Sequence, residues 1–459
     1  MTVYENPPPD DGATSSIRDI FGSLRDDDWR RLGGCMFAAV VVAMMTGTSG
    51  NAQHLTAGVT GSLFKPRILV FILLGLALWA LMTAWKRYGD DVKSSLSEVR
   101  ELRTAVAGNQ WARYGGYLAV LLAAILIPPQ LSVFWQQVLV SEIGIYVLLT
   151  IGLNVVVGFA GLLDLGYIAF YAIGAYTAAY FTGFPDANRR GHISPLPAHP
   201  PFHLNPFFVL PIAVLVCLIA GLLLGAPTLR LRGDYLAIVT LGFGEIVRIT
   251  ANNSESVTNG PRGAFGVPHF SAFGYHWTLD LMPYWYLLLG IIVIVFVLFR
   301  QLENSRVGRA WTAIREDEVA AAATGIPTLK YKLMAFAIGA STSGLAGVIF
   351  ASQVGSFAPD NFRLINSLLV LVYVIFGGMG SLPGAVIGAS FLIWLPNVLR
   401  DHVPPQDRFI YFGALLVVMM IFRPQGVFPS RRRAREIGLA EAGSGGADAM
   451  AAPGGVLQQ

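Results

Sequence analysis

Polar and apolar positions along this chain fall into long blocks, not into the two-residue alternation of strands. Spanning a bilayer takes about 20 apolar residues per helix. Runs of that kind recur near 32–48, 66–85, 115–133, 138–158, 161–182, 206–226, 234–251, 283–300, 333–354, 364–379, 384–400 and 409–423. The pattern predicts an all-α polytopic membrane protein with about 12 (10–12) transmembrane or re-entrant helices. The run at 161–182 and the pair around Pro383 are interrupted by glycine or proline. Unwound backbone is tolerated at membrane depth only against protein or a water-filled path, so these stretches are expected to lie inside the bundle.

Composition agrees with that class. Of 459 residues, 54% are hydrophobic and 13% charged, where a soluble domain carries about 25% charged residues. A net charge of +4 matters less than its placement. With the N-terminus inside, most basic residues collect in alternate loops, which become cytoplasmic. These hold Arg18, Arg25, Arg30 and Arg31; Lys86, Arg87, Lys93, Arg100, Arg103 and Arg113; Arg230 and Arg232; Arg300, Arg306, Arg309, Arg315, Lys330 and Lys332; and Arg423 with Arg431, Arg432, Arg433 and Arg435. Both termini are therefore expected in the cytoplasm. The polar start, with Pro7-Pro8-Pro9 and Asp26-Asp27-Asp28, is not a cleavable signal peptide.

Three segments carry the candidate chemistry. Between two spans, Val307, Trp311, Ile314 and Glu318 fall at helical spacing, and Gly325 then Pro327 end the helix. An amphipathic helix here suits docking into a groove on a partner; it equally suits a loop helix held at the headgroups. The run Gly158 to Tyr176 interleaves glycines with aromatics, which serves close helix packing or a broken helix facing a ligand. Glu245 and Arg248 lie three apart on one helix face, either as an internal clamp or as a first contact for a zwitterionic solute near the outer mouth. Glu142 and Asp164 are further polar positions, while Gly380, Gly384 and Gly388, and Gly339, Ser343 and Gly347, form small-residue faces for packing.

No catalytic or metal-binding residues are expected. There is no GxSxG elbow and no paired metal-ligand helix, and Cys35 and Cys217 sit in apolar runs. His192, His199, His203 and His269 fall in loops that read as exposed. No P-loop is present, so any ATP-driven transport places the nucleotide on another chain.

In this order, Gly152-Leu153-Asn154 through Tyr176, Arg230 to Arg248, Gly308 to Gly325, Gly377-Gly378-Met379-Gly380 and Arg423-Pro424-Gln425-Gly426 resemble the branched-chain amino-acid ABC importer permeases, in the longer of their two membrane subunits. The resemblance covers roughly 138–428. It implies a cytoplasmic tail at 1–31, extra spans with a charged loop at 32–137, a permease core at 138–428 with a coupling loop at 301–332, and a basic then disordered tail at 429–459. The implied function is that of a multi-pass permease subunit in a bacterial inner membrane. Its partners would be a sister permease, two ATP-binding subunits, a periplasmic or extracellular solute-binding protein, membrane lipid and an amino-acid substrate, with no nucleic acid.

ATP and magnesium would be bound by the partner ATPases and no cofactor by this chain. The implied coupling residues are Gly308, Arg309, Trp311, Arg315, Glu316, Glu318 and Gly325, with Arg309, Arg315, Glu316 and Glu318 facing the ATPase. Glu318-Val319-Ala320 stands where the wider importer pattern has Glu-Ala-Ala, and Gly325 follows one place late. Candidate path residues are Asn154, Gly158, Gly161, Tyr167, Phe170, Tyr171, Glu245 and Arg248. A urea or short-amide permease fits the same motifs. An ion-coupled secondary transporter fits the hydropathy but calls for repeated halves, which are not evident.

Overall fold

The computed structural model describes residues 110–183, 196, 203–229, 234–272, 275–277, 280–401 and parts of 413–428. The expected spans at 32–48 and 66–85, both tails, Cys35, His192, His199, Arg230 and Arg232 lie outside the described residues. The chain divides into two units, Met1–Val120 and Leu121–Gln459, and apart from residues 110–120 the second carries everything that follows.

In chain order the principal helices are α1 (Gln110–Leu126), α2 (Val133–Phe159), α3 (Ile168–Phe181), α4 (Pro206–Thr228), α5 (Asp234–Asn253), α6 (Leu281–Asn304), α7 (Arg306–Glu316), α8 (Glu318–Ala323), α9 (Thr328–Val354), α10 (Leu364–Gly377) and α11 (Leu382–Val398). Among the described residues the strands are two-residue ladders, such as Ala264–Phe265 against Ser356–Phe357. Among the described residues, five helical segments are long and apolar enough to cross a membrane: α2, α4, α6, α9 and Pro359–Gly377, which includes α10. The chain is a multi-pass helical membrane protein.

Burial separates the inner from the outer helices. The apolar windows of α2 and α9 are 78% and 72% buried, against 22% for α4 and 28% for α6. Small residues explain why α9 sits at the centre. A Cβ on Gly174 of α3 would strike the carbonyl of Gly344, and one on Gly344 would meet Cys217 Sγ of α4 at 2.5 Å. Glycine thus lets α9 touch α3 and α4 at backbone distance, where dispersion contacts hold helices together in lipid. The same logic joins α10 to α11, because a Cβ on Gly388 would lie 2.7 Å from Gly377 Cα.

The expected helix over 161–182 is only half helical. The last turn of α2, Asn154–Phe159, widens to π-helical spacing, Gly161 takes φ +71°, and α3 begins at Ile168. Gly161 and Leu163 of the unwound stretch are exposed, while Leu162, Asp164, Gly166 and Tyr167 are buried. Leu165 N donates to Thr240 Oγ1 at 3.1 Å, Gly166 N donates to the buried Asp164 carboxylate at 2.9 Å, and Tyr167 Oη donates to Gly339 O at 3.0 Å. Among its backbone groups, Leu165 N finds its partner on α5 and Tyr167 O accepts from Ser343 Oγ of α9 at 3.4 Å, as an apolar surround requires.

The loop at 301–332 also departs from a single amphipathic helix. Asp317 adopts an extended backbone and its carboxylate accepts from Val319 N at 2.8 Å and Ala320 N at 3.0 Å. That N-cap starts a second helix, α8, and removes Glu318 from the face of Trp311 and Ile314. His269 is half-buried, with Nδ1 2.9 Å from Tyr284 Oη and 2.7 Å from Ser352 O, because its loop folds onto the end of α9. His203 is exposed, 2.8 Å from Thr182 O.

Candidate coupling site

The helix α7 lies between two spans, α6 and α9. Ser305 caps it, its Oγ accepting from Val307 N at 3.1 Å and Gly308 N at 3.4 Å. A Cβ on Gly308 would lie 2.5 Å from Leu302 O, so glycine there lets α7 fold back against the end of α6. Trp311 is fully buried and its Nε1 donates to Tyr331 O at 2.7 Å. Ala310 and Ile314 complete the inward face, whereas Arg306, Arg309 and Glu316 are exposed. Arg309 also donates to Asn304 O at 3.2 Å.

Glu318 and Arg315, both expected to face an ATPase, turn toward their own chain. Glu318 pairs with Lys332 of α9 at 2.6 Å, and the lysine side chain is 8% exposed. Arg315 donates from a terminal guanidinium nitrogen to the carbonyl of Gly158, at the C-terminal end of α2. Gly325, at φ +85°, has open space around its Cβ position and turns the chain from α8 toward α9.

Three candidate path residues gather beside Arg315. Asn154 is fully buried and its Oδ1 accepts from Gly380 N at 2.9 Å. A Cβ on Gly161 would meet Arg315 Cγ at 2.8 Å, and one on Gly380 would lie 3.0 Å from both an Arg315 guanidinium nitrogen and Gly158 O. The loop after α10 is held in turn by the C-terminal segment. Val427 N donates to Phe376 O at 2.9 Å, Phe428 N to Gly377 O at 3.0 Å, and Gly426 packs its Cα region onto Gly378. Residues from four separated motifs, those around 154–161, 315, 377–380 and 423–426, therefore converge on one end of the bundle.

The remaining path candidates lie elsewhere. Tyr167 is sealed against α9, Phe170 packs on Phe336 and Phe243 with centroids 5.7 Å apart, and Tyr171 packs on Phe350 and Phe362 at 5.3 Å. Arg248 donates through Nε to Glu245 at 3.0 Å and also reaches Asp360 at 3.3 Å, which in turn pairs with Arg363 at 2.8 Å. The two acidic and two basic groups tie α5 to the turn before α10. Asp360 and Arg363 escaped the sequence reading because they stand 112 or more residues from Arg248. Nothing in local spacing signals a contact across that separation.

Among the described residues, no group of three or more His, Cys, Asp or Glu side chains is placed to hold a metal ion. The arrangement instead places one exposed helix face, carrying Arg306 and Arg309, beside the ends of buried spans.

Comparison with known proteins gives this architecture a family. The family described as "Branched-chain amino acid transport system / permease component" matches residues 138–423. The high-affinity branched-chain amino acid transport system permease protein LivM of Escherichia coli is 40% identical over 311 residues, covering 63% of this chain and 68% of that protein. A probable LivM of Methanocaldococcus jannaschii is 24% identical over 322 residues, covering 63% of this chain and 91% of that protein. The E. coli permease protein LivH is 29% identical over 126 residues, covering 28% of this chain and 41% of its own length. No solved structure matches. With its matched region reaching from α2 beyond α11 to residue 423, this chain belongs to the permease components of the branched-chain amino acid transport systems.

Proposed function

We propose that this chain is the transmembrane permease subunit of an ATP-binding-cassette importer for branched-chain amino acids, set in a bacterial inner membrane with both termini in the cytoplasm. The observation that carries the reading is α7. Trp311 anchors it between two spans, and its opposite face presents Arg306 and Arg309 outward. A short helix held rigidly on one side and charged on the other suits seating in a groove of a separate motor subunit. Likeness to both a LivM and a LivH protein supports pairing with a sister permease.

In this reading two ATPase subunits bind ATP and magnesium, and a solute-binding protein delivers the amino acid to the opposite side. ATP closes the motor pair and shifts the bundle between outward- and inward-facing states. It does so only by the difference in its affinity for the two.

The test is reconstitution of this chain with the sister permease, ATPases and binding protein encoded beside it. ATP-dependent uptake of labelled leucine, lost when any one component is omitted, supports the reading. Urea uptake in place of leucine replaces the substrate class. Uptake by this chain alone, driven by an ion gradient, ends the assignment.

A further inference from the structure

Arg315 stands out because its guanidinium donates to a backbone carbonyl at the point where a buried span comes apart. The carbonyls of the last helical turn have no intrahelical donor. A guanidinium placed there supplies one and complements the negative end of the helix dipole. Gly158 O receives this bond from a residue 157 positions later in the chain.

The surroundings are shaped to admit this side chain. Gly161 faces the aliphatic stem of Arg315, with a hypothetical Cβ 2.8 Å from Cγ, and Gly380 faces the guanidinium at 3.0 Å. Both have positive φ, +71° and +80°. Gly380 N is simultaneously bound by Asn154 Oδ1 at 2.9 Å, while Asn154 Nδ2 is buried without a partner. One arginine from the helix outside the bundle thus contacts the frayed end of α2, the unwound stretch before α3 and the turn between α10 and α11.

We propose that Arg315 is a positioning residue that transmits movement of α7 to the break between α2 and α3 and to the turn at Gly380, and that it does not form the ATPase-docking surface. This rests on the ATP-driven reading above. Coupling between distant sites needs an element with two arrangements that both sites bias. The unwound stretch at 160–167 is such an element, because part of its backbone is held by other helices: Leu165 N donates to Thr240 Oγ1 of α5 at 3.1 Å and Tyr167 O accepts from Ser343 Oγ of α9 at 3.4 Å. When the motor displaces α7, the guanidinium pulls on Gly158 O and crowds Gly161, and the geometry of the break changes with it.

The experiment uses the complete reconstituted transporter carrying R315Q, R315K or G161A. For R315Q the expected result is ATPase subunits retained at wild-type ratio, hydrolysis continuing, and uptake per ATP lowered on the order of tenfold, within the usual range of coupling effects. R315K, which keeps a charged donor, restores part of the loss. G161A, which keeps the arginine but obstructs its stem, reproduces it. Hydrogen exchange on the wild-type complex provides a reading independent of any variant: the amides of Ala160 and Leu162 change protection when nucleotide is added. Release of the ATPase subunits by R315Q, unchanged uptake per ATP in R315Q, or exchange at these amides indifferent to nucleotide would each overturn the proposal. A wild-type complex that shows no ATP-driven uptake defeats the functional reading instead, a failure visible before any variant is made.

Discussion

Lys332 and Glu318 form an ion pair of 2.6 Å in which the lysine side chain is 8% exposed and the glutamate 32%. The lysine sits on α9, the most enclosed side of the coupling loop, and the glutamate is the first residue of α8. A nearly buried ammonium without its counter-charge is costly, although the exposed edge of the glutamate lets water soften the loss.

Glu318→Gln is accordingly expected to destabilise the subunit by about 1–3 kcal/mol, less than the roughly 3–5 kcal/mol of a fully buried pair because the glutamate is partly exposed. The double variant Glu318→Gln, Lys332→Met removes the stranded charge and recovers most of that loss. Thermal unfolding of the detergent-solubilised subunit distinguishes the two. Equal losses in the single and double variants would show that the pair contributes nothing beyond packing.

Trp311 offers a second test, because its ring is fully buried and its indole nitrogen is bonded to Tyr331 O. Trp311→Ala removes both and should lower stability by about 3–5 kcal/mol, as large aromatic truncations do. Trp311→Phe keeps much of the packing and should lose roughly 1 kcal/mol for the hydrogen bond plus a small packing term. In the assembled transporter the alanine variant should also shed its ATPase subunits, since α7 loses its seat. Co-purification of the ATPases with Trp311→Ala at wild-type yield would separate the helix from motor docking.

These residues also show what the sequence disclosed and what it withheld. Trp311 and Ile314 were legible as an inward face, because helical spacing within one short segment suffices to place them. Glu318 belonged to the same spacing but not to the same helix. The reason was present at Asp317, a good capping residue preceding a new helical run, whose local preference outweighs the periodicity around it. Five of the expected spans, those at 138–158, 206–226, 283–300, 333–354 and 364–379, were legible from hydropathy, whereas the glycines near Gly161 left a broken helix and close packing as alternatives. The destination of Arg315 was not, since a lone basic residue on an amphipathic helix looks like solvent-facing charge until Gly158 is brought beside it.

Asp317 leads to a local prediction. Asp317→Ala removes both cap bonds to Val319 N and Ala320 N and should weaken α8 by about 1 kcal/mol, whereas Asp317→Asn keeps an accepting oxygen and should lose little of that. Hydrogen exchange at those two amides should accelerate in the alanine variant while α9 remains protected. Unaltered exchange would mean that α8 is held by tertiary contacts alone.

The contact between α3 and α9 sets the last prediction. Gly174 lies against the backbone of Gly344, with no room for a Cβ, and Gly344 lies against Cys217 on the far side. A leucine at Gly174 cannot be relieved by a rotamer change, because the atoms it meets are backbone. It must push α3 away from α9 and carry the unwound stretch before α3 with it. Overpacking of this kind costs roughly 1–3 kcal/mol, and occasionally more; displacement of two buried helices puts Gly174→Leu at the upper end. Gly242, whose Cβ position is open, serves as a control for the substitution of glycine itself. Gly242→Ala should insert and fold as the parent does, whereas Gly174→Leu should give little monodisperse protein on size-exclusion chromatography. Comparable yields would indicate that α3 and α9 can part without disturbing the fold, and the contact would then be a sliding surface instead of a fixed one.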